Sequence, residues 1–166
     1  MEVMWKVVVE ILNLRLTASI TLHEFLHGFR LGRGTVTSIL EAKLLQQLAA
    51  LREEVPYMIF LDLHKSYDAL DRSRCLDILE GYGVPPRSRQ IIQTYWRRLT
   101  MVVRAGGYYG TEFQVARGAT QGDTLFPTIF NVVVDAVVHN WVKGVIAGAE
   151  ERGERGKECR HQAYLF

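Results

Sequence analysis

Apolar residues recur along this 166-residue chain at intervals of three and four, the spacing of one face of a helix. The pattern predicts five helices. We expect Ser73 to cap the third of them, and Pro127 fits only within the first turn of the last. The five stretches lie in residues 1–26, 35–51, 73–83, 86–99 and 125–141.

Four further stretches have the character of strands. Residues 57–61 form a continuous apolar run, which predicts a strand buried on both faces that ends at Asp62. Two short apolar stretches, 101–104 and 111–116, flank a glycine-rich turn and predict a hairpin. Glycines and mixed charges in residues 144–160 indicate a solvated loop, and 162–166 resemble the start of another strand. The fold class predicted is α+β, with helices packed on a small antiparallel sheet.

The composition is that of a globular domain, with 48% hydrophobic and 23% charged residues, and it excludes a chain disordered throughout. Cys75 and Cys159 are too few for a disulfide framework and have no zinc-binding spacing. No apolar run approaches the roughly 20 residues that cross a bilayer, and the N-terminus lacks the pattern of a secretory signal. We therefore expect an intracellular protein, cytoplasmic or nuclear, with no membrane contact.

The charge is distributed unevenly, although the net charge is only +2. Residues 81–111 contain no Asp or Glu, whereas five arginines alternate there with tyrosines and a tryptophan. Cations beside aromatic rings suit single-stranded or hybrid nucleic acid, because phosphates need cations and bases stack on rings. The alternative is an amphipathic helix with arginines on its solvated face. The arginines are Arg87, Arg89, Arg97, Arg98 and Arg104.

Three polar segments follow one another at the ends of these elements. Residues 27–35 (HGFRLGRGT) hold three glycines and two arginines, 62–68 (DLHKSYD) follow the apolar run, and 117–122 (RGATQG) precede the last helix. Together they resemble the fingers segment and palm motifs A and B of reverse transcriptases of the group II intron and non-LTR type. The resemblance extends from about residue 22 to residue 141. Thr124 and Phe126 replace the proline and serine usual in motif B.

The resemblance implies the fingers and palm of a right-hand polymerase, incomplete at its C-terminus. Residues 1–56 would be the fingers-like segment, 57–143 the palm core with motifs A and B, and 144–166 a charged loop and the start of a strand. In the family that strand leads to an Asp-Asp turn, which this sequence does not contain. We therefore expect a truncated polypeptide that does not polymerise alone.

Asp62 is the catalytic residue that the resemblance implies. It would hold Mg²⁺ together with the Leu63 carbonyl, since magnesium prefers hard oxygen ligands. Family members use two such ions to stabilise the attacking and leaving oxygens of nucleotidyl transfer. The alternative for a single aspartate at this place is a helix or turn cap.

The nucleotide-binding residues are implied in the same way, and Leu63 is one of them as well as a magnesium ligand. Tyr67 matches the ring that excludes a 2′-hydroxyl, with core packing as its alternative. Gln121 matches the residue beside the incoming nucleotide. Arg30 and Arg33 match basic fingers residues that neutralise phosphates, with an ordinary surface position as their alternative.

The partners implied are an RNA template, a DNA primer and deoxynucleoside triphosphates, with Arg97, Arg98, Arg104 and Arg117 contacting nucleic acid. The sequence does not indicate an oligomeric state. Two other functions stay open: a non-catalytic RNA- or DNA-binding module derived from a reverse transcriptase, and a helical interaction fragment with no nucleic-acid role. Asp135, in the middle of the last helix, is expected to be a surface residue.

Overall fold

The computed structural model describes residues 3–24, 26–55, 58, 60, 62–119 and 122–151. The described part contains six helices and four two-residue strands, in agreement with the predicted α+β class. The helices are α1 (Val3–Ser19), α2 (Thr35–Leu51), α3 (Ser66–Ala69), α4 (Arg72–Gly81), α5 (Pro86–Arg97) and α6 (Phe126–Glu151). The strands are β1 (Thr100–Met101), β2 (Arg104–Ala105), β3 (Tyr108–Tyr109) and β4 (Phe113–Gln114).

The chain forms two compact units, each built from two separate parts of the sequence. Among the described residues, the first unit contains 3–21 and 63–130, and the second contains 22–62 and 131–151. This grouping by contact does not test the fingers and palm boundaries, which stay predictions.

The core of the first unit lies among α1, α4, α5 and the start of α6. Four of the five predicted stripes contribute to it, those of α1, α4, α5 and α6, because positions three and four apart share one helix face. Proline at the first position of α5 suits a helix start, where the missing N–H leaves no bond unmade. The buried apolar side chains are Val9, Leu12, Leu16, Cys75, Leu79, Val84, Ile92, Tyr95, Trp96, Leu99, Leu125, Phe126 and Ile129.

The predicted hairpin is present as two nested antiparallel pairs. β1 pairs with β4, and β2 pairs with β3 across a turn of Gly106 and Gly107. Both turn glycines have positive φ, 57° and 85°, as a two-residue turn of this kind requires. Tyr108 and Tyr109, which the sequence placed in the connection, are therefore strand residues.

The prediction that Ser73 caps the helix of residues 73–83 was wrong. Asp71 is the cap: its carboxylate accepts hydrogen bonds from the Ser73 amide at 2.9 Å and the Arg74 amide at 3.3 Å. The Ser73 hydroxyl donates to the same oxygen at 2.7 Å. A carboxylate two residues earlier reaches two amides at once, which a serine inside the first turn cannot do.

Two other predictions need correction. The stretch from residue 144 was expected to be a loop, but α6 continues to Glu151. Glycine costs a helix roughly 1 kcal/mol relative to alanine without ending it, whereas proline would end it. In the apolar run, Met58 and Phe60 are not in a strand and Phe60 is 87% exposed; residues 57, 59 and 61 lie outside the described part. The predicted strand 162–166 also lies outside it.

Helix α2 has the predicted bounds but not a buried face. Only Ser38 is buried on it among the described residues. Its apolar side chains face solvent: Val36, Ile39, Leu40, Leu44, Leu48 and Leu51.

Candidate functional site

Tyr67 lies in α3, and its ring packs on two phenylalanines at the start of α6. The ring of Phe130 is nearly parallel to it, with centroids 4.7 Å apart, and the ring of Phe126 is tilted at 5.5 Å. Phe126 is 1% exposed, so one side of Tyr67 rests on the core. Burial raises the pKa of the Tyr67 phenol. The ring is half-buried, which combines a fixed position with partial access from solvent.

Gly118 brings the loop before α6 directly against the backbone that carries Tyr67. A Cβ atom at Gly118 would lie 2.6 Å from the Tyr67 carbonyl oxygen and 2.7 Å from the Asp68 Cα. The Gly118 amide donates to the Leu70 carbonyl at 2.9 Å, and its φ of 68° is one that glycine adopts readily. The two segments that resemble motifs A and B therefore meet at this glycine.

Arg72 fastens the same loop from the other side. Its Nε and Nη2 donate to the Gly118 carbonyl at 3.0 and 2.9 Å, and its Nη1 donates to the Trp96 carbonyl at 3.2 Å and to the Val115 carbonyl. Its guanidinium also lies 5.8 Å from the Trp96 ring centroid. One planar cation thus joins α4, the end of α5 and the loop.

Asp123 is a buried carboxylate where the loop enters α6. Its Oδ1 accepts a hydrogen bond from the Leu125 amide at 3.0 Å. Burial raises its pKa, while the hydrogen bonds from Leu125, Tyr95 and Phe126 and the positive charge of Arg72 oppose that shift. The residue borders a cleft of about 380 Å³ that Lys6 and Glu10 of α1 also line.

In the second unit, His27 fixes the glycine-rich loop to α2. Its Nε2 lies 2.9 Å from Glu41 Oε2, and its Nδ1 lies 2.9 Å from the Thr37 hydroxyl. That hydroxyl also donates to the Gly34 carbonyl at 2.7 Å and accepts from the Gly34 amide at 3.0 Å. The side chains therefore order the loop at the start of the helix.

Arg30 is turned toward its own loop. Its Nη1 donates to the carbonyls of His23 at 2.7 Å and Leu26 at 3.0 Å. Burial lowers its pKa, repulsion from Arg33 lowers it further, and Asp135 opposes both. Arg33 is half-buried in the same loop, so the two cations predicted to meet phosphates lie near each other.

Asp135 is not the surface residue that was expected. It is half-buried, and its carboxylate accepts a hydrogen bond from the His23 amide at 2.9 Å. One turn earlier, the Asn131 side chain donates to the Gly28 carbonyl at 2.7 Å. Two polar side chains of α6 thus hold both ends of the segment 23–28.

Asp62, the predicted catalytic residue, is the last residue of segment 22–62 of the second unit, and Leu63 is the first residue of segment 63–130 of the first unit. The Asp62 carboxylate is exposed and Leu63 is 58% exposed, both outside regular structure. Gln121 lies outside the described residues. Of the predicted nucleotide-binding residues, Tyr67 is the one that the described part places against the loop resembling motif B.

The arginines expected to contact nucleic acid are all exposed and belong to the first unit. Arg97 and Arg98 lie at the end of α5, where Arg98 is 5.3 Å from the Trp5 ring centroid. Arg104 lies on β2, 5.4 Å from the Tyr109 ring centroid. The charge of Arg117 helps to keep the pKa of the Asp71 carboxyl low, after the larger effect of the hydrogen bonds from Ser73 and Arg74.

The oxygen donors suit magnesium in kind, but the described residues do not complete a site. Asp62 and the Leu63 carbonyl are hard ligands. Across the described ranges, however, no three His, Cys, Asp or Glu residues are close enough to hold a metal ion together. One carboxylate supplies too little negative charge for two divalent cations.

Sequence reasoning missed Arg72, Asp123 and the stack of Tyr67 on Phe130. The spacing of Phe126 and Phe130, four residues apart on one helix, was a signal that two rings share a face. Arg72 gave no such signal, because its partner carbonyls lie 24 to 46 residues away.

The chain matches known proteins over most of its length. The profile of the family described as reverse transcriptase (RNA-dependent DNA polymerase) matches residues 1–165. A Pol polyprotein of the type-1 retrotransposable element R2 from Nasonia vitripennis is 31% identical over 119 residues, 70% of this chain. The corresponding protein of the type-2 element R2DM from Drosophila melanogaster is 33% identical over 82 residues, 49% of this chain.

The matched segments are small parts of those relatives, 11% of the Nasonia protein and 8% of the Drosophila protein. A third relative, an R2 Pol polyprotein from Popillia japonica, is 29% identical over 132 residues, 77% of this chain and 18% of its own length.

None of the helices in the described ranges is long and apolar enough to cross a membrane.

Proposed function

The chain belongs to the reverse transcriptase family, and we propose that it forms the nucleotide-facing part of an RNA-directed DNA polymerase of a retroelement similar to R2. In this proposal the longer protein copies an RNA template from a DNA primer, using deoxynucleoside triphosphates. Its place of action is intracellular, in the cytoplasm or the nucleus. The R2 relatives favour the non-LTR side of the resemblance over the group II intron side.

The observation that carries the proposal is the contact of Gly118 with the backbone of Tyr67 and Asp68. A nucleotide pocket requires a wall and a closely approaching backbone held in fixed geometry. Tyr67 supplies the wall, stacked on Phe130, and the loop of Gly118 approaches without a side chain between them. These contacts support a role for the two segments in positioning an incoming nucleotide.

Each predicted site residue has a role in this proposal. Tyr67 excludes the 2′-hydroxyl of a ribonucleotide, and Gln121 bonds the sugar or backbone of the incoming nucleotide. Arg30 and Arg33 neutralise phosphates, which suits two cations in one glycine-rich loop.

Asp62 is the proposed carboxylate ligand for Mg²⁺, with the Leu63 carbonyl beside it. In the longer protein, two magnesium ions held in part by these residues would supply charge stabilisation for nucleotidyl transfer. Because the described residues offer too few carboxylates for such a site, we propose that the 166-residue chain by itself does not catalyse polymerisation.

The test is primer extension on an RNA template by the longest polypeptide that the gene encodes around this chain. Asp62→Ala should lower the rate by at least about 10³-fold, since a metal ion contributes several kcal/mol of charge stabilisation. Asp77→Ala is the matched control, because Asp77 is an exposed carboxylate on α4. Equal rates for the two variants would remove Asp62 from the mechanism.

A second candidate function is favoured by the exposed arginines of the first unit. A non-catalytic RNA- or DNA-binding module would use the arginine-rich face from Arg87 to Arg104 alone. It would bind nucleic acid with steep salt dependence and without response to magnesium or deoxynucleotides. A polymerase instead requires magnesium and deoxynucleotides for primer extension. A nucleic-acid titration with and without these two components therefore separates the two candidate functions.

A further inference from the structure

The strands β2 and β3 with their glycine turn, here called the tyrosine hairpin, present two aromatic rings to solvent. Tyr108 is 83% exposed and Tyr109 is 70% exposed. Large rings seldom stay this accessible, since burying one removes a large apolar area from water. Two exposed tyrosine rings at neighbouring positions of one strand therefore indicate a surface that a ligand covers.

The register of the hairpin sets what each ring meets. Successive strand residues point to opposite faces, so Tyr108 and Tyr109 lie on different faces. Tyr109 is opposite Arg104, whose guanidinium lies 5.4 Å from the ring centroid. Tyr108 is opposite Ala105, whose methyl group is too small to cover the ring.

The backbone holds these rings outward from the unit. Gly106 and Gly107 close the turn with positive φ, and the Gly110 amide donates to the Val103 carbonyl at 2.9 Å. The turn itself bears no side chain, so a ligand can reach past it to either face.

The charge around the hairpin selects the ligand class. Residues 81–111 contain no Asp or Glu, and Arg97, Arg98 and Arg104 are exposed. The first acidic residue after the hairpin is Glu112. Positive charge beside open rings is complementary to phosphates and bases of one strand, whereas a duplex keeps its base faces stacked and inaccessible.

We infer that the tyrosine hairpin is a base-stacking contact for single-stranded nucleic acid, with unpaired bases on Tyr108 and Tyr109 and phosphates at Arg104. The inference rests on the proposed function and adds to it the residues and the strand state that they recognise. Stacking on an aromatic ring tolerates any base, so the contact is independent of sequence.

The test uses the 166-residue chain and two labelled 12-nucleotide single strands of equal phosphate number, one with bases and one abasic. Replacing both tyrosines (Tyr108→Ala, Tyr109→Ala) should weaken binding of the base-bearing strand about tenfold or more. Binding of the abasic strand should stay within about twofold, because the phosphate contacts remain. Arg104→Gln, the charge control, should weaken binding of both strands.

The outcomes separate the inference from the proposed function. Salt-dependent binding that the tyrosine variant leaves unchanged, or weakens equally for both strands, would overturn the hairpin contact alone. Absence of any salt-dependent binding by the unaltered chain would overturn the hairpin contact and the non-catalytic binding module, whereas primer extension by the longer protein tests the polymerase separately. If the tyrosine substitutions weakened the binding of a protein partner but of neither strand, the hairpin would be a protein interface instead.

A second measurement on the unaltered chain makes the test independent of the variants' folding. Photocrosslinking of a strand that contains 5-iodouracil should attach it to Tyr108 or Tyr109, since the reaction favours aromatic rings in contact with the base. Crosslinks confined to other residues would contradict the inference.

Discussion

The ring of Tyr67 lies on the ring of Phe130 at an interplanar angle of 17°, with centroids 4.7 Å apart. We expect Tyr67→Ala to lower the free energy of unfolding by about 2 kcal/mol, since it removes half of a partly buried aromatic stack. Tyr67→Phe should stay within about 1 kcal/mol of the unaltered chain. Urea unfolding followed by circular dichroism measures both.

The control for this stack is Tyr108→Ala, because Tyr108 is an exposed tyrosine in the same unit. Its unfolding midpoint should be almost unchanged. In an active longer protein, Tyr67→Ala should also increase ribonucleotide incorporation while Tyr67→Phe does not. Equal incorporation by both variants and the unaltered protein would contradict the sugar-selecting role.

Gly118 and Gly122 form a pair of glycines that differ only in their surroundings. Both have positive φ, 68° and 87°, but a Cβ atom would collide with the Tyr67 backbone only at Gly118, and nothing lies within 4 Å of one at Gly122. Gly118→Ala should therefore be more destabilising than Gly122→Ala by at least about 1 kcal/mol. Thermal unfolding of the two variants gives the comparison, and equal melting temperatures would contradict the close approach.

Arg72 should be intolerant of substitution. Its guanidinium group donates to the carbonyls of Gly118, Trp96 and Val115. Arg72→Met should therefore lower the free energy of unfolding by about 2 to 3 kcal/mol. Arg72→Lys should recover little, because an ammonium cannot reproduce the planar fork. Arg74→Met, at an exposed position of the same helix, is the matched control and should be nearly neutral; urea unfolding compares the three.

Asp123 should make the chain less stable as the pH rises. Burial raises the pKa of its carboxyl in the folded state. Folding therefore favours the protonated form. This stabilisation is complete below the unfolded value of about 4 and is lost as the pH rises through the folded-state pKa.

Asp123→Asn should remove that part of the pH dependence, since the amide does not ionise and its oxygen still accepts from Leu125. Melting temperatures measured from pH 4 to pH 8 show the effect. Asp77→Asn, on the exposed face of α4, should leave the profile unchanged. An identical profile for Asp123→Asn and the unaltered chain would contradict the assignment.

Cys75 should resist thiol reagents. It is buried in α4, and burial raises its pKa to about 12, so the reactive thiolate is scarce at neutral pH. In a Cys159→Ser background, a disulfide reagent at pH 8 should label Cys75 only as fast as the chain unfolds. Rapid labelling without denaturant, at the rate of a small-molecule thiol, would contradict the burial.

The helices could be predicted where hydrophobic periodicity and helix ends agree. α5 is the clearest case, because Pro86 starts it and Ile92, Tyr95 and Trp96 are buried on one face as their spacing predicts. α2 has the predicted bounds, but its apolar face is exposed. Periodicity predicts a helix and its apolar face, but it does not identify what covers that face.

Parts of the candidate site could not be predicted because their contacts join distant segments. The sequence indicated Tyr67 and the loop 117–122 separately, while their meeting at Gly118 depends on a backbone approach that residue types do not encode. The predicted cap, Ser73, lies two residues after the actual cap, Asp71, because hydrophobic periodicity locates a helix but not its exact first residue. No pattern of residues indicated that Asp135 would bond the His23 amide, 112 residues earlier in the chain.

The exposed leucines of α2 also affect the expected solubility and dye binding of the isolated chain. Each Å² of apolar surface exposed to water costs about 25 cal/mol of free energy. A helix with six large apolar side chains in solvent is therefore stabilised by contact with any other apolar surface. Fluorescent hydrophobic dyes should therefore bind it in the native state. Mild detergent should keep it monodisperse at concentrations where buffer alone lets it precipitate.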